Sequence, residues 1–128
     1  METITKPVLT IDVPNEKGVL FPLAVVQNAV AKAQHKKFVC KMMMPTSLEF
    51  GHSTMIDASH VVESLYILDG TLFAELRILS TEYGKMLSQM LEKMDVIFAA
   101  AGTALAEQRE DGILEVTDYT IIGVHVKR

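Results

Sequence analysis

The dipeptide Asp69-Gly70 constrains this chain more than any other feature. It stands between two apolar runs, about 60–68 and 71–79. Both positions of a two-residue hairpin turn want positive φ, and Asp-Gly supplies it at little cost. A β-hairpin is therefore fixed in the middle of the sequence. Its second strand alternates cleanly, with Leu72, Ala74, Leu76 and Ile78 on one face and Thr71, Phe73, Glu75 and Arg77 on the other. A two-residue loop then sets Ile67, Leu65, Glu63 and Val61 against the apolar face. Glu63 is the misfit there: it sits at the core's rim, a bulge shifts the register, or it is functional, and the first two readings are favoured.

The rest of the chain organises around this hairpin. Residues 3–13 are rich in Thr, Ile and Val and read as a strand, with Pro7 pointing to an edge or a bulge. Residues 14–18 make a turn. Pro22 opens a helix in which Leu23, Val26, Val30 and Ala33 form one apolar stripe. Residues 38–43 look like a buried strand, with Cys40 as a small buried hydrophobe. Residues 45–57 lack periodicity and read as a loop. A second helix, about 82–93, has Thr81 as its N-cap. Tyr83, Met86, Leu87, Met90, Leu91 and Met94 give it a stripe that serves as core or as a docking face. Residues 96–101 and 103–108 read as two short strands separated by Gly102. A last strand runs about 113–126, with a bend or bulge near Asp118. The expected fold class is α+β: a curved, partly closed, mainly antiparallel, barrel-like sheet with two helices, in one domain spanning 1–128.

Composition narrows the function classes. The chain of 128 residues is 49% hydrophobic and 22% charged, enough for a sizeable core without staples. One cysteine excludes an internal disulfide. A net charge of −4, with His35-Lys36-Lys37 as the only short basic cluster, argues against nucleic acid as the main partner. No apolar run is long enough to span a membrane, and the N-terminus lacks a secretory pattern. The expectation is a protein made and used in the cytoplasm. Eight methionines, densest at Met42-Met43-Met44, suit either a buried strand end or an apolar docking patch.

Chemistry is sparse. There is no phosphate loop or dinucleotide fingerprint. His52, Asp57 and His60 match no standard metal spacing, so neither a metal nor a cofactor is expected. His52 and His60 are possible bases. Ser53 and Ser59 adjoin them in sequence, but neighbours along a strand point opposite ways and make poor partners.

Four stretches in order resemble the prohead (capsid maturation) serine proteases of tailed phages. Asn15-Glu16-Lys17-Gly18-Val19-Leu20-Phe21-Pro22 resembles the segment leading into that family's first helix. Gly51-His52 and Ile56-Asp57-Ala58-Ser59-His60-Val61-Val62 resemble its catalytic-histidine loop and the strand after it. The run from Gly70 to Lys85 resembles its "G-x-x-x-A-x-x-R-I-L-x-T-x-x-G-K" segment. The run from Val116 to Val126 resembles its closing "V-x-D-F-x-L-x-G-x-D-V" strand. The resemblance implies a fold like the herpesvirus-type assembly proteases and self-association through a helix.

It also implies a lost site. Where the family carries its nucleophile in a Ser-Ser-Arg-Gly type motif, this chain has Ala99-Ala100-Ala101-Gly102. Alanine has no atom that can attack a carbonyl, and losing a triad nucleophile removes most of the rate enhancement. Thr103 is the nearest hydroxyl, beyond the glycine. His52 stands as a relic of the base, followed by Ser53 rather than proline. The resulting expectation is an inactive prohead-protease-like protein that binds phage capsid or scaffold proteins, and possibly itself, during assembly in the host cytoplasm and in the virion. The alternatives are a regulator or inhibitor of an active prohead protease and, less favoured, a serine hydrolase rebuilt on His52, His60 and a nearby hydroxyl.

Overall fold

The structure, a computed structural model, describes residues 3–34, 36–40 and 58–127. Among them the elements run β1 (Thr3–Thr10), β2 (Val19–Leu20), α1 (Leu23–Ala33), β3 (Phe38–Cys40), β4 (His60–Leu68), β5 (Thr71–Ile78), α2 (Glu82–Lys93), β6 (Ile97–Gln108) and β7 (Leu114–Lys127). They build two sheets, one ordered β1-β5-β4-β3 and one ordered β2-β7-β6, antiparallel except for the short β2–β7 pair.

The central hairpin is as expected. Asp69 has φ 48° and Gly70 φ 75°, and the ladder closes at Leu68 opposite Thr71. Leu72, Ala74, Leu76 and Ile78 are all buried. The register shifts between Val62 and Ser64, so Glu63 is the extra residue of a bulge. It turns away from the core and pairs with Arg77 and with Lys37, the latter at 2.9 Å. These two cations hold its carboxyl below the usual carboxylate range. Pro7 combines both of its allowed roles: β1 is the outer strand, and its register shifts between Pro7 and Leu9, which sends Val8 into the core.

The first strand ends earlier than expected, at Thr10. Asp12, with φ 64°, turns the chain, and its Oδ1 accepts the backbone N–H of Leu23 at 2.9 Å. Pro22 has no side chain that can cap α1, so this carboxylate from ten residues before it satisfies one of the helix's free donors. Inside the intervening turn, Asn15 Oδ1 accepts the amides of Lys17 and Val19, and residues 19–20 become β2. Helix α1 lays Val26, Ala29 and Ala33 against β7, while Leu23 stays outside.

Two readings need correction. Residues 97–108 form one strand rather than two, because Gly102 continues the extended backbone and pairs with Ile121. The two irregularities of this ladder fall on β7, where Ile122 and Thr117 are the unpaired residues. The second of these is the bend expected beside Asp118. The sheet, moreover, is not closed into a barrel. β3 lies beside β7 and β1 beside β6, but among the described residues no backbone ladder joins the two sheets. Strand curvature brings the edges together, and side chains fill the seams. The core between the sheets includes Leu72, Leu76, Leu87, Phe98, Val116, Tyr119 and Val124. A fully buried leucine such as Leu72 contributes about 1.5–3 kcal/mol of transfer free energy.

Candidate functional site

The seam between β3 and β7 gathers the polar chemistry of the interior. Cys40 ends β3 and His60 begins β4, and the two are register partners. Ser59 precedes the ladder. Its amide donates to Cys40 O at 2.8 Å, and its carbonyl accepts the amide of Leu79 at 3.0 Å. Position 59 is thus pinned by backbone bonds to two neighbouring segments before the strand's alternation starts.

That placement overturns the strand-alternation argument against Ser59. Its Oγ lies 2.7 Å from His60 Nδ1. On the other side of the ring, Nε2 lies 2.7 Å from the carbonyl oxygen of Val124 in β7. A carbonyl only accepts, so Nε2 carries the hydrogen and Nδ1 of the neutral ring accepts from the serine hydroxyl. The longer contact from Ser59 Oγ to Cys40 O, 3.4 Å, is the weaker use of that single hydrogen. The imidazole also meets Phe98 in a T-shaped contact, centroids 5.9 Å apart. Burial pushes the His60 pKa down, the Val124 carbonyl partly opposes this, and nearby His125 adds to it.

A hydroxyl, an imidazole and an acceptor that fixes the tautomer are the parts of an activated nucleophile. Here both side chains have 0% exposure, sealed from solvent. With both ring nitrogens engaged, His60 also offers no free ligand atom to a metal. The pair works as a strut: it joins the start of β4 to the backbone of β7 across a seam that has no ladder. Cys40 belongs to the same strut. Burial pushes its thiol up to about 11, opposed by backbone hydrogen bonds from Val124 and Val62. A Cβ at Gly123 would come within 3.2 Å of its sulfur. The thiol is buried and protonated at neutral pH, and so inert.

Ala99, Ala100, Ala101 and Gly102 lie on the other sheet, in β6. Ala99 pairs with His125, Ala100 with Val124, Ala101 with Gly123 and Gly102 with Ile121. Directly opposed residues present their side chains on the same face, Cβ atoms about 4.5–5.5 Å apart. Of the three alanines, Ala99 is therefore the one set against an imidazole. His125 Nδ1 is buried and has no hydrogen-bond partner among the described residues. Burial, reinforced by Lys127, holds its pKa below the ordinary value. In the sequence His125 stands only within the closing strand; nothing in spacing alone links it to position 99, twenty-six residues earlier. Gly102 has a backbone reason to remain glycine, since a Cβ there would sit 2.1 Å from Thr120 O. Thr103 is exposed and lies four residues beyond Ala99, about 13 Å along the strand.

His52, Ser53, Asp57, His35 and Met42-Met43-Met44 lie outside the described residues. Cys40 and Ser59, on either side of that stretch of sequence, are joined by a backbone hydrogen bond. On α2, Thr81 caps the helix by accepting the Gly84 amide, and Leu87 is buried as core. Tyr83, Met86 and Met94 are instead exposed, so the stripe divides between core and surface.

The sequence matches no family model and no curated protein. In three dimensions the chain is similar to the bacteriophage T4 capsid assembly protease, gp21, with a TM-score of 0.80 over 97% of this chain and 79% of that one, at 14% sequence identity. What this likeness shows is the fold: two helices and mostly antiparallel sheets in a prohead-protease-like arrangement.

Proposed function

We propose that this chain is a catalytically inactive, prohead-protease-like protein of a phage head, which acts by binding capsid or scaffold proteins during assembly in the host cytoplasm and stays in the virion. The observation that carries the reading is the pairing of Ala99 with His125. It sets a methyl group, with nothing able to attack a carbonyl, against a half-buried imidazole whose buried Nδ1 has no partner among the described residues. The serine that does meet a histidine, Ser59, is sealed from solvent. The likeness in fold to a capsid assembly protease supports the setting.

The test has two arms. The protein is exposed to a serine-reactive fluorophosphonate, and it is quantified against the major capsid protein in immature and mature particles. The expected results are no covalent label and an uncleaved, stoichiometric signal in mature particles. Labelling at any serine or threonine would overturn the loss of chemistry. Presence in immature shells with absence from mature ones would overturn the virion role and leave a transient protease-regulating role in its place.

A further inference from the structure

The distal half of β6 is an unprotected sheet edge. Among the described residues β7 is the only strand hydrogen-bonded to β6, and β1 lies beside it without a ladder. Its seven residues from Gly102 to Gln108 are all exposed, with Leu105 at 67% the most exposed large hydrophobe of the described residues. Sheet edges in soluble proteins are blunted with lysine, proline, bulges or brevity. This strand runs twelve residues, holds no proline or lysine, and carries one charge, Glu107. Both bulges of the hairpin fall on β7, leaving β6 regular. Unpaired N–H and C=O groups on a regular strand form a template for another strand.

We infer that this edge pairs with the same edge of a second copy, antiparallel and with the two-fold axis at Leu105. The register follows from charge and apolar matching. Centred there, Leu105 faces Leu105 of the other copy, Ala104 faces Ala106, Thr103 faces Glu107 and Gly102 faces Gln108. No like charges oppose each other, and the most exposed apolar side chain is covered by its own image. Moving the axis to Glu107 would put two carboxylates face to face, which is destabilising. The seven-residue ladder is about 23 Å long, and it joins two three-stranded sheets into one continuous sheet. The inference stands apart from the loss of chemistry, since it uses no residue of the β3–β7 seam or of the relic site.

Sedimentation of the full chain over a concentration series, with cysteine cross-linking, tests it. A concentration-dependent dimer is expected. The double variant Thr103→Lys, Leu105→Lys should weaken it by about tenfold or more, because the lysines at 105 oppose each other, with the far-UV spectrum and melting temperature unchanged at these exposed sites. Leu105→Cys should form an intermolecular disulfide readily. Directly opposed Cα atoms lie about 4.5–5.5 Å apart, within disulfide range. Thr103→Cys, whose counterpart lies about 13 Å away in this register, should not. A monomer at every concentration would overturn the inference. So would a dimer that the double lysine variant leaves intact and Met86→Glu, Met94→Glu dissolves, which would place self-association on α2.

Discussion

The His60 strut makes stability depend on pH with a sign and a size that can be worked out in advance. His60 is fully buried and neutral, and its folded pKa lies below the ordinary value of 6.5. In the unfolded chain the imidazole titrates near 6.5. Between the two values the unfolded state binds more protons, so stability falls as pH falls. The contribution is fully present above about pH 6.5, is lost progressively as pH drops from there toward the folded pKa, and is lost no further below it. For one group the slope cannot exceed about 1.4 kcal/mol per pH unit. Urea unfolding between about pH 7.5 and about pH 5.5 should therefore show a loss from His60 of up to about 1.4 kcal/mol. The chain holds three other histidines, so the assay is the difference between the wild type and His60→Gln, whose amide cannot charge. The variant should start out less stable, because it loses the Phe98 contact and a matched bond to Val124 O. Its pH slope should be shallower than that of the wild type. Equal slopes, or a wild type that gains stability on acidification, would refute both the buried neutral imidazole and the tautomer derived from it.

Two further perturbations probe how the elements are held. Gly84→Ala should be severely destabilising, because the new Cβ would sit 1.9 Å from Leu79 O and 3.1 Å from Ser59 O, both backbone atoms that cannot swing aside; α2 must lift away from the seam, and thermal melting should show a loss of several degrees or an unfolded chain. Asp12→Ala should cost about 1–2 kcal/mol in urea unfolding, a typical N-cap loss, since the Leu23 amide would lose its acceptor; Asp12→Asn, which keeps an acceptor oxygen, should recover most of it.

The fold was legible where local chemistry decides it. The Asp69-Gly70 turn, the alternation of β5, the Pro7 edge strand, the Thr81 cap and the bulges at Glu63 and beside Asp118 each follow from a residue that suits few alternatives. It was illegible where the deciding partner is remote in sequence. Gly102 reads as a break between strands because glycine usually interrupts one, yet its reason is tertiary: the close approach of Thr120. Asp12 reads as the end of a strand, although it serves a helix that starts eleven residues later. Closure of the sheet was over-read for the same reason. Curved strands predict that edges will meet, but hydrogen-bond registration across an edge depends on which side chains occupy the seam. Here the Cys40 thiol, the His60 ring and the Val124 backbone take the place a ladder would have filled.

The site repeats the lesson with a sharper consequence. Sequence adjacency argued against Ser59 as a partner of His60, since alternate strand residues face opposite ways. The rule presumes that both residues are on the strand. Ser59 is one position short of it, and its backbone bonds to Cys40 and Leu79 set its hydroxyl against Nδ1. A hydroxyl–imidazole pair found this way invites a catalytic reading, but chemistry on a polypeptide needs a nucleophile that an extended substrate can reach, and the 0% exposure of both partners supports the proposed inactivity instead. The same comparison runs the other way at Ala99. That position is only partly covered and lies opposite an imidazole nitrogen without a partner, yet it presents a methyl group. Among the described residues the Ser59 hydroxyl and the unpartnered His125 nitrogen thus occupy different places, one sealed in the seam and one opposite alanine. The proposed inactivity turns on that separation.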